Sequence, residues 1–276
     1  MNCLCNPSEV ERLKRKYGFS LSKDFSQNFL IDESVPARIV EAAEPENCFC
    51  LEIGTGFGAL TSELCDRAEL VTSIELDRRL YPVLKETVGD KKNFTLVQGD
   101  ATRCDFDGLA KKSQEQNIIC GNLPYNITTK LIKQILPLRN YRAAYLMVQL
   151  EAAERLCAAP GAPACSELTY FVHYYTEPRI LFEVPREAFL PPPAVRSAVI
   201  ELRFRADKPP ADQAFFALIE DAFRQRRKTL QNNLGKKYGK EKVRTALEKL
   251  DLPPDIRGER LSLSEFRALF DNLFTI

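Results

Sequence analysis

The chain has 276 residues, of which 45% are hydrophobic, and 39 basic against 38 acidic side chains leave a net charge of +1. That length allows one large domain and a smaller one, and the near-neutral balance excludes a globally basic nucleic-acid binder, so any such signal must be local. No run approaches the roughly 18 consecutive apolar residues of a membrane span, and the start lacks a basic segment followed by an apolar one, so a cytoplasmic protein is expected.

Ser8-Glu9-Val10-Glu11 fits a capping box and opens a short basic helix that stops at Gly18. Residues 23–32 mix amides with apolar side chains without a period and read as an ordered loop. Asp32 or Ser34 can cap a helix reaching Ala43, with Ile39, Val40 and Ala43 on one face. Residues 48–53 form a nearly continuous apolar strand. Gly54-Thr55-Gly56-Phe57-Gly58 follows at once and leads into a helix from Ala59, the arrangement of a nucleotide-binding first crossover. A second strand over 70–74 ends in Glu75, about twenty residues past the first glycine, where a carboxylate can accept from ribose hydroxyls.

Gly54, Gly56 and Ala59 also satisfy the dinucleotide fingerprint, which keeps an NAD-linked oxidoreductase open at this point. A third strand over 94–98 ends in Gly99-Asp100-Ala101, where a carboxylate can accept from an adenine amine. A fourth, 118–120, stops at Gly121-Asn122-Leu123-Pro124-Tyr125. This stop reads either as a turn that caps a helix, with Asn as the cap and Pro early in it, or as a site at a strand's C-terminal end. Four acidic or amide residues, Glu52, Glu75, Asp100 and Asn122, thus fall at successive strand ends. Such a rim suits a ligand carrying ribose, adenine and a cation better than one carrying a pyrophosphate.

A fifth strand is expected over 144–149 and a helix over 151–158. Residues 168–175, 179–184 and 197–204 read as strands or strand-helix pieces, because short apolar runs are ambiguous. Phe189-Leu190-Pro191-Pro192-Pro193-Ala194-Val195 is a stiff connection that fixes the position of Phe189. Lys208-Pro209-Pro210-Ala211 marks a composition break between a first domain, 1–206, and a second, 207–276. Helices are expected there over 213–227, 229–238, 240–250 and 264–274, with Gly235, Gly239 and Pro253-Pro254 as stops. Between Arg224 and Lys249 lie ten Lys or Arg against two acidic residues, Glu241 and Glu248. An excess this one-sided, centred on Arg224-Gln225-Arg226-Arg227-Lys228, favours phosphate contact over a merely solvated face.

Nine cysteines, none spaced as Cys-x-x-Cys, and a sole histidine, His173, give neither a zinc ligand set nor a nucleophilic triad. Buried reduced thiols and no metal are expected.

Taken together, the motifs resemble the KsgA-type ribosomal RNA adenine dimethyltransferases, from about Lys23 to the C-terminus. The matching stretches are Gln27-Asn28-Phe29-Leu30, Glu52 to Gly56, Ile74-Glu75-Leu76-Asp77, Gly99-Asp100-Ala101, Asn122 to Tyr125, Phe189 to Ser197, Arg226 to Leu230 and Asn232-Asn233-Leu234. The resemblance implies an α/β fold: a Rossmann-like class I S-adenosylmethionine-dependent methyltransferase sheet with helices on both faces, and a small all-α C-terminal domain. It implies that Asn28 and Leu30 cover S-adenosyl-L-methionine, that Gly54 and Gly56 approach it, and that Glu75 takes the ribose and Asp100 the adenine. Asn122 would lie beside the sulfonium. Asn122 with the Leu123 carbonyl would orient the target amine, Pro124 would stiffen that backbone, and Tyr125 and Phe189 would stack on the base.

The implied reaction makes N6,N6-dimethyladenosine at two adjacent adenosines near the 3′ end of 16S rRNA, with the small ribosomal subunit as partner, Arg224, Arg226, Arg227 and Lys228 on RNA, and a monomeric enzyme. Alternatives are a large-subunit rRNA dimethyltransferase conferring macrolide resistance, or a non-enzymatic assembly factor. Ser26, Leu150 and Arg196 depart from the family pattern, at positions in the substrate loops rather than at the implied cofactor or catalytic groups.

Overall fold

The computed structural model describes residues 3–18, 28–110, 117–207 and 209–274. Lys23, Ser26, Gln27 and Lys208, named above, lie outside them. The chain divides into two compact units, Met1–Ala153 with Arg179–Arg205, and Glu154–Pro178 with Ala206–Ile276.

The first unit is built on a seven-stranded sheet. In chain order its strands are β2 (Phe49–Ile53), β3 (Leu70–Glu75), β4 (Phe94–Gln98), β5 (Ile118–Asn122), β6 (Ala143–Gln149), β7 (Thr176–Val184) and β9 (Ser197–Phe204), arranged β4-β3-β2-β5-β6-β9-β7. The strands from β2 to β6 run parallel, and β9 returns antiparallel beside β6. Every residue of β2 is buried, and so is β6 up to its last residue, which requires cover on both faces and explains their unalternated apolar sequences. Burying Phe49 or Leu51 completely contributes about 1.5–3 kcal/mol each. Order reverses at β2, which has β3 on one side and β5 on the other, and a ligand crevice opens at the C-terminal ends of strands at such a switch.

Several expectations are corrected here. The first helix, α1 (Pro7–Lys16), is capped by Asn6, whose side chain accepts from the Ser8 N–H, so Ser8 is not the cap. Residues 29–30 are not loop but a two-residue strand, β1 (Phe29–Leu30), paired antiparallel with β8 (Phe189–Leu190). No helix starts at Asn122. The helix α6 (Thr128–Ile135) begins after five intervening residues, so the capped-turn reading of Asn122-Leu123-Pro124-Tyr125 fails.

The second unit is helical, and it is not one contiguous C-terminal segment. It takes in α8 (Glu167–Tyr175) as well as α9 (Gln213–Phe223), α10 (Leu230–Tyr238), α11 (Lys240–Lys249) and α12 (Leu263–Phe274). The run 168–175 is a helix because Ser166 closes a capping box with Thr169, and its aromatic residues pack into a helical core rather than a sheet. Tyr170 lies 4.9 Å from Phe266 and 5.4 Å from Phe223, ring centre to ring centre, and its hydroxyl donates to the Leu261 carbonyl at 2.6 Å. Gly235 sits inside α10 and stops nothing, whereas Gly239 ends that helix with a positive φ.

Candidate functional site

The crevice at the switch is lined by Asn28, Phe29, Gly54, Gly56, Glu75, Leu76, Leu80 and the stretch from Asn122 to Tyr125. β2 ends at Ile53, and Gly54 turns the chain away with φ at +81°, a region open mainly to glycine. The helix α3 (Ala59–Arg67) then carries the chain back towards β3. Glu75 ends β3 and is buried. One of its oxygens accepts the Thr55 and Gly56 N–H groups at 3.1 and 3.2 Å, and the other accepts the Asp77 N–H at 2.8 Å. Burial pushes its carboxyl above the usual range against those bonds. The glycine loop is therefore folded around a carboxylate.

That geometry discriminates between cofactors. A pyrophosphate needs free loop N–H groups and tolerates no adjacent carboxylate, yet the Thr55 and Gly56 amides already serve Glu75. Among the described residues no Lys or Arg lines the crevice. A cationic, phosphate-free cofactor with a ribose fits this donor set, and a dinucleotide does not.

On the opposite wall, β5 runs parallel beside β2 with Gly121 level with Ile53, so closely that a Cβ on Gly121 would meet the Ile53 carbonyl at 2.5 Å, which brings Asn122 beside the glycine loop. The Asn122 side-chain NH2 donates to the Asn28 carbonyl at 3.2 Å, leaving its Oδ1 without a described donor. The Leu123 N–H donates to the Met147 carbonyl at 3.1 Å, and among the described residues nothing donates to the Leu123 carbonyl. The Pro124 carbonyl takes the Ile127 N–H and the Thr128 hydroxyl, both at 3.1 Å. Two unused acceptors and an aromatic side chain, Tyr125, thus stand together on a braced loop.

Three sequence expectations meet a different placement. Phe189 is 1% exposed and lies in the core, paired through β8 with β1, so its ring is not free to stack on a base. Asp100 does not line the crevice; one of its oxygens accepts the Thr102 N–H at 2.9 Å at the start of a short turn. Leu30 is buried and lines a smaller cavity behind the glycine loop.

Glu52 leaves the rim altogether. It is fully buried, accepts the Thr61 hydroxyl at 2.7 Å and the Ser73 hydroxyl, and has no partner for its second oxygen among the described residues. Burial pushes its carboxyl up to about 7. Between about pH 4.5 and 7 the folded chain holds a proton that the unfolded chain has lost, so this residue makes stability fall as pH rises through that window, by about 2–3 kcal/mol. In Glu52→Gln that fall is expected to disappear, which denaturant midpoints at either end of the window check against wild type.

The sequence reading gives no role to Leu76 and Ser197, although both stand in matching stretches, and does not single out Leu80. Leu76 is 50% exposed at the mouth of the crevice, where an apolar side chain directly after an acidic strand end is the available signal. Phe29, stacked on Phe57 with ring centres 4.1 Å apart, ties Asn28 and Leu30 to the glycine loop.

In the helical unit, Arg224, Gln225, Lys228, Asn232, Lys236, Lys237 and Lys240 line a basic cleft together with Asp221. Asp221 is buried and accepts from Arg224 at 2.6 Å, Lys237 at 2.7 Å and the Tyr238 hydroxyl at 2.9 Å, so it organises the cations and does not face solvent alone. Arg226 has a different placement from its neighbours: it donates to the Pro163 and Cys165 carbonyls and lies 3.6 Å from Glu259. Arg227 and Lys228 are exposed. Arg196, one of the departures, pairs with Glu183 at 2.5 Å, and Leu150 donates its N–H to the Arg196 carbonyl at 3.0 Å. The described cysteines are all free, and no described group of side chains could hold a metal.

A parallel sheet with its switch at a glycine loop, and a crevice fitted to a cationic adenosine derivative, define a class I S-adenosylmethionine-dependent methyltransferase. Residues 18–271 match the family described as ribosomal RNA adenine dimethylase. The chain belongs to that family, and its substrate is ribosomal RNA. It is 39% identical over 291 residues to the ribosomal RNA small subunit methyltransferase A of Pelotomaculum thermopropionicum, covering 99% of this chain and 98% of the relative. Among solved structures it is similar to a dimethyladenosine transferase from Plasmodium falciparum, with 26% identity, a TM-score of 0.76 and coverage of 87% of this chain and 95% of that one. It is also similar to the 23S rRNA methyltransferase ErmE, with 30% identity, a TM-score of 0.70 and coverage of 89% and 99%.

Proposed function

We propose that this enzyme converts two adjacent adenosines near the 3′ end of 16S rRNA to N6,N6-dimethyladenosine on the small ribosomal subunit, as a cytoplasmic monomer. The reading rests chiefly on the paired acceptors, Asn122 Oδ1 and the Leu123 carbonyl, which match the two N–H groups of an adenine amine. The full-length relative from Pelotomaculum supports the choice of subunit.

The residue types follow from the chemistry. S-adenosylmethionine supplies an electrophilic methyl group on a sulfonium. The adenine amine is a poor nucleophile because its lone pair is delocalised into the ring. Accepting both of its N–H bonds at Asn122 and Leu123 draws it towards tetrahedral geometry and holds the lone pair in line. Pro124 limits the backbone freedom of the carbonyl, and Tyr125 stacks on the base, a contact of about 1–3 kcal/mol. No strong base is required, since the methylated ammonium is acidic enough to lose its proton to water, and catalysis is mainly positioning. Glu75 would take the ribose, Leu76 would cover the adenine of the cofactor, and Asn28, Gly54 and Gly56 would close around the rest.

Arg224 and Lys228 in the basic cleft, with exposed Arg227, would contact phosphates. Because Arg226 is held by the 163–165 carbonyls, the sharper test is Arg227→Ala with Lys228→Ala. That pair is expected to weaken subunit binding and to reduce the slope of log affinity against log salt by roughly 1 to 2. The small-subunit reading is tested by offering immature small subunits and naked large-subunit rRNA side by side. Dimethylation confined to the small subunit is expected; methylation of the large-subunit RNA alone would transfer the activity to the macrolide-resistance reaction.

A further inference from the structure

Tyr125 carries a hydroxyl that base stacking does not need, since any aromatic face stacks. That hydroxyl lies 2.8 Å from the Ser197 Oγ. Ser197 is fully buried, opens β9, and sits opposite Gln149 of β6 in the antiparallel pair. Among the described residues its hydroxyl has this one partner, and although Ser197 closes the matching stretch that begins at Phe189, the functional reading gives it no role.

The other ties on the loop act on the backbone: the Leu123 N–H on the Met147 carbonyl, and the Ile127 N–H and Thr128 hydroxyl on the Pro124 carbonyl. None of them restrains the Tyr125 side chain, which turns about two torsions. A ring fixed at its tip as well as at its backbone has one orientation.

We infer that Ser197 is a positioning residue for methyl transfer, holding the Tyr125 ring as a fixed wall against which the target base docks. The inference rests on the proposed contact between Tyr125 and the target adenine, and it assigns that contact a second partner on a different strand. Tyr125 lines the crevice together with Glu75, but its partner Ser197 stands on β9, with β2, β5 and β6 between it and β3, so loss of the bond removes none of the groups around Glu75. Only the geometry of the base changes, so the effect falls on the transfer step.

The test uses the full-length enzyme, S-adenosylmethionine and whichever rRNA substrate wild type methylates. Tyr125→Phe and Ser197→Ala are each expected to lower the single-turnover rate constant about tenfold, and the double variant to be no slower than the slower single one, because both remove the same bond. Calorimetric affinity for S-adenosylmethionine should change far less than the rate constant. Wild-type rates in Tyr125→Phe would overturn the inference, and so would additive losses or a parallel loss of cofactor affinity, which mark a structural role. Should Ser197→Ala fail to fold, Tyr125→Phe decides alone. The stacking reading fails separately, if Tyr125→Ala transfers methyl groups as fast as wild type.

Discussion

Replacing Asn122 with alanine is expected to lower methyl transfer by about a thousandfold while rRNA binding persists, by analogy with the loss of a single oriented polar group at a reacting centre. The side chain joins two walls of the crevice: its NH2 is fixed by the Asn28 carbonyl, and its Oδ1 is left to accept. Alanine deletes the acceptor together with the bond to the Asn28 carbonyl, while the pairing of β1 with β8 stays in place. The Leu123 carbonyl then holds one N–H of the amine without the other, so the lone pair is no longer aimed. Single-turnover transfer with saturating cofactor separates this from binding, and full activity in the variant would remove Asn122 from the mechanism.

Glu75→Ala is expected to weaken S-adenosylmethionine binding by at least about a hundredfold, since hydrogen bonds to a charged acceptor contribute about 1.5–3 kcal/mol each. The carboxylate has two tasks. It accepts three backbone N–H groups, from Thr55, Gly56 and Asp77, and so shapes the glycine loop before any ligand arrives. In the proposed function its remaining lone pairs would take the ribose hydroxyls of the cofactor. Glu75→Gln should be less damaging than alanine, because one amide oxygen still accepts, although its NH2 then faces a loop N–H. Calorimetry on the three proteins reads the order directly; equal affinities would mean that the ribose is held elsewhere.

The strands that build the crevice were legible because each is a short buried apolar run ending in glycine or a polar residue. Residues 49–53, 70–75 and 94–98 stand within a residue of where their patterns place them. What the pattern could not carry was direction. Glu52 sits one residue before its strand's end, so its side chain points to Thr61 of α3 and Ser73 of β3 instead of the rim. Residues 29–30 and 189–190 are too short to show a period, and their pairing joins segments about 160 residues apart, beyond any local signal. That pairing is also what buries Phe189. The run 168–175 has apolar residues on all sides, which erases the helical period that would have separated it from a strand. In the basic patch, composition located the cations but not the carbonyls that hold Arg226 or the carboxylate of Asp221 that arranges Arg224 and Lys237.

A mass-spectrometric map of adenosine methylation in rRNA, from cells with and without this protein, tests the central claim most directly. The expected result is the loss of N6,N6-dimethyladenosine at two adjacent positions near the 3′ end of 16S rRNA, restored by the wild-type chain and not by Asn122→Ala. An unchanged 16S map, or a loss confined to 23S rRNA, would contradict it.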